Sequence, residues 1–223
     1  MTLTRLGFLG RVALLLSFVA AASYVASWNL DLPAVVSTAW KGAGLTLMAV
    51  YAASVARGLD GWLLVAVLAL GALGDVLLET HGLVTGAFAF LAGHLVAITL
   101  YLRNRRPSLT TSQLLFAAIL PPATVAIAYS LPADRALASG VALYALGLSL
   151  MAACAWISRF PRYLTGLGAL MFVVSDLLIF GRDGALKGVF GIGVAIWALY
   201  YLGQFLICIG VVEGLARRRA AGA

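Results

Sequence analysis

Charge is what this chain has least of. Only 10% of its 223 residues are Asp, Glu, Lys or Arg, while 63% are hydrophobic and the mean hydropathy is +1.05. A soluble domain carries about a quarter of its residues as charges. There are too few here to cover a surface facing water, which excludes a soluble globular protein. Histidine is scarcer still: His81 and His94 are the two. A hydrolytic zinc site draws three protein ligands from His and carboxylate, and a multi-histidine pattern is absent, so no metal and no cofactor is expected. No serine sits in a Gly-x-Ser-x-Gly elbow, which removes the usual signature of a Ser-His-Asp hydrolase. Two cysteines, Cys154 and Cys208, lie in apolar runs and read as packing residues rather than a disulfide or metal site. No long linker or low-complexity tract interrupts the chain, so 1–223 reads as a single integral membrane domain.

Long apolar runs are what the chain has instead. A helical span needs about 20 mostly apolar residues. Eight such segments are present, at about 8–28, 34–56, 61–80, 83–102, 113–131, 137–157, 164–181 and 190–213, separated by charges, prolines and turn residues. The expected fold is all-α: a polytopic membrane helix bundle of eight transmembrane helices. With the N-terminus in the cytoplasm, eleven Lys and Arg fall on cytoplasmic segments, Arg5 among them. Lys41, Arg135, Arg182 and Lys187 fall on the other side. That positive-inside bias puts both termini in the cytoplasm. It also spreads the basic residues over many span ends, which speaks against a nucleic-acid partner. Arg5 and Arg11 before an apolar run resemble a signal peptide, but the run is long for one and the first segment reads as an uncleaved span. Gly71-Ala72-Leu73-Gly74-Asp75 in the third span and Gly168-Ala169-Leu170 with Ser175-Asp176 in the seventh suggest a parallel four-plus-four repeat. The Ala-, Leu- and Gly-rich composition suggests a GC-rich bacterium and hence its inner membrane.

Within these spans the ionisable residues stand out, because a carboxylate in hydrocarbon costs a few kcal/mol or more and usually faces a cavity, a partner or a substrate. Asp75 and Asp176 are the least expected. Glu79 follows Asp75 at i+4 and shares its helix face. Lys41 lies about two turns inside the second span, at similar depth by the ~1.5 Å rise per residue. His94 falls near the middle of the fourth span, and Tyr200, Tyr201 and Gln204 in the eighth. Plainer readings stay open. Glu79 and His81 could be solvated at a helix end, and Lys41 could snorkel to the headgroups. The tyrosines could be interfacial anchors, and Ser175 could bond back to its own helix. Asp75 and Asp176 could form a structural ion pair with Lys41.

The segments GALGDVLLE (71–79), FLAGH (90–94), FVVSD (172–176) and YYLGQFLI (200–207) resemble, in order and spacing, the YhhN-type lysoplasmalogenase family. Lys41 resembles that family's lysine in the second span, although Gly42 follows it where the family often has proline. The resemblance implies hydrolysis of the vinyl ether bond of lysoplasmalogens to a fatty aldehyde and a glycerophospho-base, with a lysophospholipid substrate and membrane lipids as partners.

The residues suit that chemistry on their own terms. A vinyl ether hydrolyses by protonation of its β-carbon, which leaves an oxocarbenium ion; water then adds, and the hemiacetal collapses. One carboxylic acid must deliver the proton and a second carboxylate must steady the cation or activate water, a division of labour that glycosidases also use. Asp75 and Asp176 are the candidate catalytic pair. Glu79 would tune or replace a partner, while His94, Ser175, Tyr200, Tyr201 and Gln204 would support and orient the carboxyls and water. Lys41 would meet the substrate phosphate. The competing reading is a proton-coupled transporter with the same acids as a relay.

Overall fold

The computed structural model describes residues 7–222; Arg5, counted above among the cytoplasmic charges, lies outside them. The described residues form eight long α-helices: α1 Phe8–Ser27, α2 Ala34–Val55, α3 Gly58–His81, α4 Leu83–Arg103, α5 Thr111–Ser130, α6 Ala138–Ile157, α7 Leu167–Arg182 and α8 Ile192–Ala220. A short 3-10 turn, Arg135–Leu137, precedes α6, and a π-turn, Arg162–Gly166, leads into α7. No strand occurs among the described residues; Arg105 and Ser158 form an isolated bridge. The helices fall within a few residues of the expected spans, with α8 running further, to Ala220. The protein is an all-helical, multi-pass membrane protein.

Seven of the helices are long and apolar enough to cross a membrane. The exception is α2. At 22 residues it has the length, but Lys41 and the Ser, Thr, Trp and Gly residues around it lower its mean hydropathy. Its inner face is still core, since Leu45 and Met48 are fully buried. Large apolar side chains stay exposed around the helices, including Phe88, Leu143 and Val35. Apolar exposure on that scale suits lipid rather than water as the surrounding solvent.

By internal contacts the chain divides into two compact units. One holds α1 to α4 as far as Leu100, together with the end of α8 from Val211. The other is Tyr101–Gly210.

In the first unit α1 packs on α2 and α2 on α3. Small residues let the backbones approach. A Cβ on Gly10 would stand 2.6 Å from Ser54 Oγ, and one on Gly42 3.0 Å from Val76. Ser17 Oγ donates to Gly44 O at 2.6 Å, tying α1 to α2. Trp40 Nε1 donates to Ala20 O at 3.2 Å. Helix α3 stops at Gly82, whose φ of 84° is the left-handed conformation that favours glycine at a helix end. The chain turns there into α4, which lies tight against α3: a Cβ on Gly86 would come within 2.9 Å of the Leu78 backbone.

In the second unit α6 packs against both α5 and α7. A capping box starts α5. Gln113 N donates to Thr110 Oγ1 at 3.4 Å and Thr110 N to Gln113 Oε1 at 3.1 Å. This satisfies two of the donors that a helix start leaves open. Helices α7 and α8 meet backbone to backbone. A Cβ on Gly168 would lie 2.5 Å from Gly203 O, and one on Gly203 2.7 Å from Gly168 O. Cys208 is buried in α8 and Cys154 half-buried in α6, both as free thiols.

Candidate functional site

The first unit gathers one group of the expected residues. Helix α3 is apolar along most of its 24 residues, and Asp75 interrupts that run 2% exposed. One turn on, Glu79 accepts a hydrogen bond from Lys41 Nζ at 2.6 Å. The pair is lopsided: the Lys41 side chain is 11% exposed and that of Glu79 40%. Lys41 therefore does not reach out to headgroups. It is a buried cation whose countercharge stands at the rim. Gly42 explains how α2 comes so close here. Helix α2 continues unbroken through it, and the missing side chain makes room for Val76, next to Asp75. On α4, His94 is buried. This helix is held against α3 by Phe90 over Gly74 and by Gly93 near Leu70. His81 lies exposed in the turn, its Nδ1 2.7 Å from Thr80 Oγ1, in keeping with a solvated role.

The second unit gathers the rest. Asp176 of α7 is buried, and its Oδ2 accepts a hydrogen bond from Tyr144 Oη at 2.7 Å. Tyr144 comes from α6 and meets Phe180 edge to face, with ring centroids 5.8 Å apart. An aromatic wall thus fixes the phenol that orients the carboxyl. Ser175 does not bond back to its own helix. Its Oγ donates to Ile196 O of α8 at 2.9 Å. Tyr200 and Tyr201 are both buried rather than at an interface. Tyr200 packs on Phe172 at 5.1 Å and on Trp197 at 5.7 Å, and Trp197 also stacks on Tyr201 at 6.4 Å. Gln204, one turn beyond Tyr200, is 2% exposed, and its Oε1 has no hydrogen-bond partner among the described residues. That acceptor can take a hydrogen bond from water or from a substrate hydroxyl.

Tyr144 is the partner of Asp176 that sequence reasoning missed. It stands in an apolar stretch of α6 outside any motif, and a tyrosine there reads as ordinary packing. Among the described residues no three His, Cys, Asp or Glu side chains gather to hold a metal ion.

The model of the YhhN family matches residues 36–211, most of the chain. The chain belongs to the YhhN family. No curated protein and no solved structure matches it. The YhhN match begins inside α2 and ends inside α8, so it takes in every candidate residue from Lys41 to Gln204 and leaves α1 outside. The candidate polar residues of this YhhN protein, on α2, α3, α4, α7 and α8, thus all fall within the matched part of the chain, whereas the buried Ser17 and Ser27 of α1 do not.

Proposed function

We propose that this protein is a membrane-embedded lysoplasmalogenase that cleaves the vinyl ether bond of lysoplasmalogens. The observation that carries the reading is that Asp75 and Asp176 are both buried in apolar helices, within the stretch matched by the YhhN family. A family of this kind suggests that activity, and two sequestered carboxyl groups are what the chemistry requires.

In the proposed reaction one of the two carboxyls transfers its proton to the β-carbon of the enol ether. The α-carbon becomes an oxocarbenium ion, steadied by the second carboxylate. Water adds to that carbon and gives up a proton to a carboxylate. The hemiacetal then loses the glycerol oxygen as an alcohol and leaves the fatty aldehyde, so one water is consumed and the acid is restored. Tyr144 holds the Asp176 carboxyl in place. Gln204 Oε1 offers an acceptor to water, and Tyr200, with its aromatic neighbours, keeps bulk water out. Lys41 uses one of its three N–H donors on Glu79 and can offer another to the substrate phosphate as a point charge. The bacterial inner membrane is the proposed setting, on composition alone.

The test is aldehyde release from lysoplasmenylethanolamine by purified protein in detergent, with EDTA in a parallel tube. Release unaffected by EDTA supports the two-carboxyl reading. Loss with EDTA and recovery with a divalent ion would replace it with a metal mechanism. Folded protein that releases no aldehyde, yet drives uncoupler-sensitive solute uptake in vesicles, would favour the carrier reading.

A further inference from the structure

Backbone hydrogen bonds knit together two loops of the second unit, the one between α4 and α5 and the one between α6 and α7. Around the Arg105–Ser158 bridge, Arg159 N donates to Asn104 O at 2.7 Å and Arg106 N to Ile157 O at 3.2 Å. Arg159 Nε adds a bond to Arg105 O at 3.0 Å. The result is a fixed platform, and two guanidinium groups are set into it. Arg106 Nε donates to Ser158 O at 2.6 Å and its Nη2 to Phe160 O at 3.4 Å. A guanidinium carries five N–H donors in a planar fork, so these two anchors aim the group and leave donors to spare. Arg162, at the start of the π-turn, lies over the Trp156 ring with its guanidinium carbon 5.4 Å from the centroid. Its Nε is shut off from solvent and has no hydrogen-bond partner among the described residues.

The two cations belong to one neighbourhood, since Arg106 Nη2 reaches Phe160 O, two residues before Arg162. Burial first, and then the charge of Arg162, hold the Arg106 guanidinium below its ordinary value. The acids of the second unit are Asp134, Asp176 and Asp183. Asp134 follows the far end of α5, and the other two lie roughly 20 Å or more along α7 at about 1.5 Å per residue. Neither Arg106 nor Arg162 forms an ion pair with a carboxylate among the described residues. Two fixed, like-charged groups with unused donors call for an anion that can accept from both. A phosphate group fits, because its oxygens match the guanidinium fork in pairs.

We propose that Arg106 and Arg162 together bind a phosphate group, supplied by the headgroup of an anionic phospholipid or by free phosphate. The positive-inside count places these loops at the cytoplasmic surface, and the exposed ring of Tyr163 beside Arg162 suits the headgroup layer.

The test uses whole protein in detergent, titrated with phosphatidylglycerol and followed by native mass spectrometry and thermal unfolding. Phosphatidylcholine of the same chain length is the neutral control. Wild-type protein should retain phosphatidylglycerol and gain thermal stability from it, and phosphatidylcholine should do neither. Arg162→Gln should weaken that retention about tenfold or more, the scale of a hydrogen bond to a charged group. This variant leaves the side-chain bonds of Arg106 and Arg159 that hold the platform in place and is expected to fold normally, while Arg106→Gln supplies a second, independent arm. Displacement of the lipid by inorganic phosphate would identify free phosphate as the occupant; persistence would identify the lipid headgroup. Unchanged retention in both variants, or equal retention of phosphatidylcholine, would overturn the proposal.

Discussion

Tyr144 donates its phenolic proton to Asp176 Oδ2 across 2.7 Å, from one helix to the next. In an apolar surrounding such a bond fixes where the carboxyl points and which oxygen remains for other chemistry. Tyr144→Phe keeps the ring against Phe180 and removes the donor alone. A hydrogen bond to a charged group is worth ~1.5–3 kcal/mol, so kcat for aldehyde release should fall roughly tenfold to a hundredfold with KM little changed. An unchanged kcat in this variant would remove Tyr144 from the mechanism.

Asp75→Asn and Asp176→Asn preserve shape and take away the ability to donate or accept the proton. General acid–base groups typically contribute about 10²–10⁴-fold, so each variant should lose at least that much turnover while still inserting and folding. Insertion is checked by yield and size-exclusion profile, turnover by aldehyde release. Near-normal turnover in either variant would exclude that aspartate.

Lys41 and Glu79 should respond unequally to mutation. Glu79→Gln strands a buried cation without its carboxylate, whereas Lys41→Met leaves a carboxylate that is already 40% exposed. Breaking a fully buried pair costs about 3–5 kcal/mol, and a pair with one partner at the rim costs less. Thermal unfolding in detergent should therefore show a larger fall for Glu79→Gln than for Lys41→Met, and the double variant should recover part of it. Lys41→Met should also raise KM for the lysolipid about tenfold, in line with a lost phosphate contact. Equal stability losses would mean that the lysine is better solvated than its burial indicates.

Gly168 and Gly203 set the spacing between α7 and α8. An added Cβ at either position meets the carbonyl oxygen of the other at 2.7 Å or less. Gly203→Ala should force the helices apart, cost about 1–3 kcal/mol as overpacking does, and disturb the Ser175–Ile196 bond that bridges them. Thermal unfolding measures the first effect and residual aldehyde release the second. A variant as stable as wild type would show that the two backbones can separate freely.

The membrane class, the helix positions to within a few residues, and the burial of Asp75 and Asp176 were all legible in the sequence. These follow from local quantities: mean hydropathy over a window, the punctuation of charges and prolines, and the cost of leaving a carboxylate in hydrocarbon. Lys41, Glu79, His94 and the α8 group were legible for the same reason, as polar residues within apolar runs.

Their partners were a different matter. Helices apolar on nearly every side carry little amphipathic signal to say which face turns inward. Rotation about the helix axis is therefore decided by packing against neighbours, often through glycine contacts such as Gly42–Val76 and Gly168–Gly203. Tertiary structure alone brought Tyr144 to Asp176, sent the Ser175 hydroxyl to α8 rather than back into α7, buried both Tyr200 and Tyr201, and gave Lys41 its countercharge on Glu79. The sequence by itself determined that these polar groups lie in the membrane-spanning helices. Which of them meet was settled by side-chain packing, which no local window of sequence encodes.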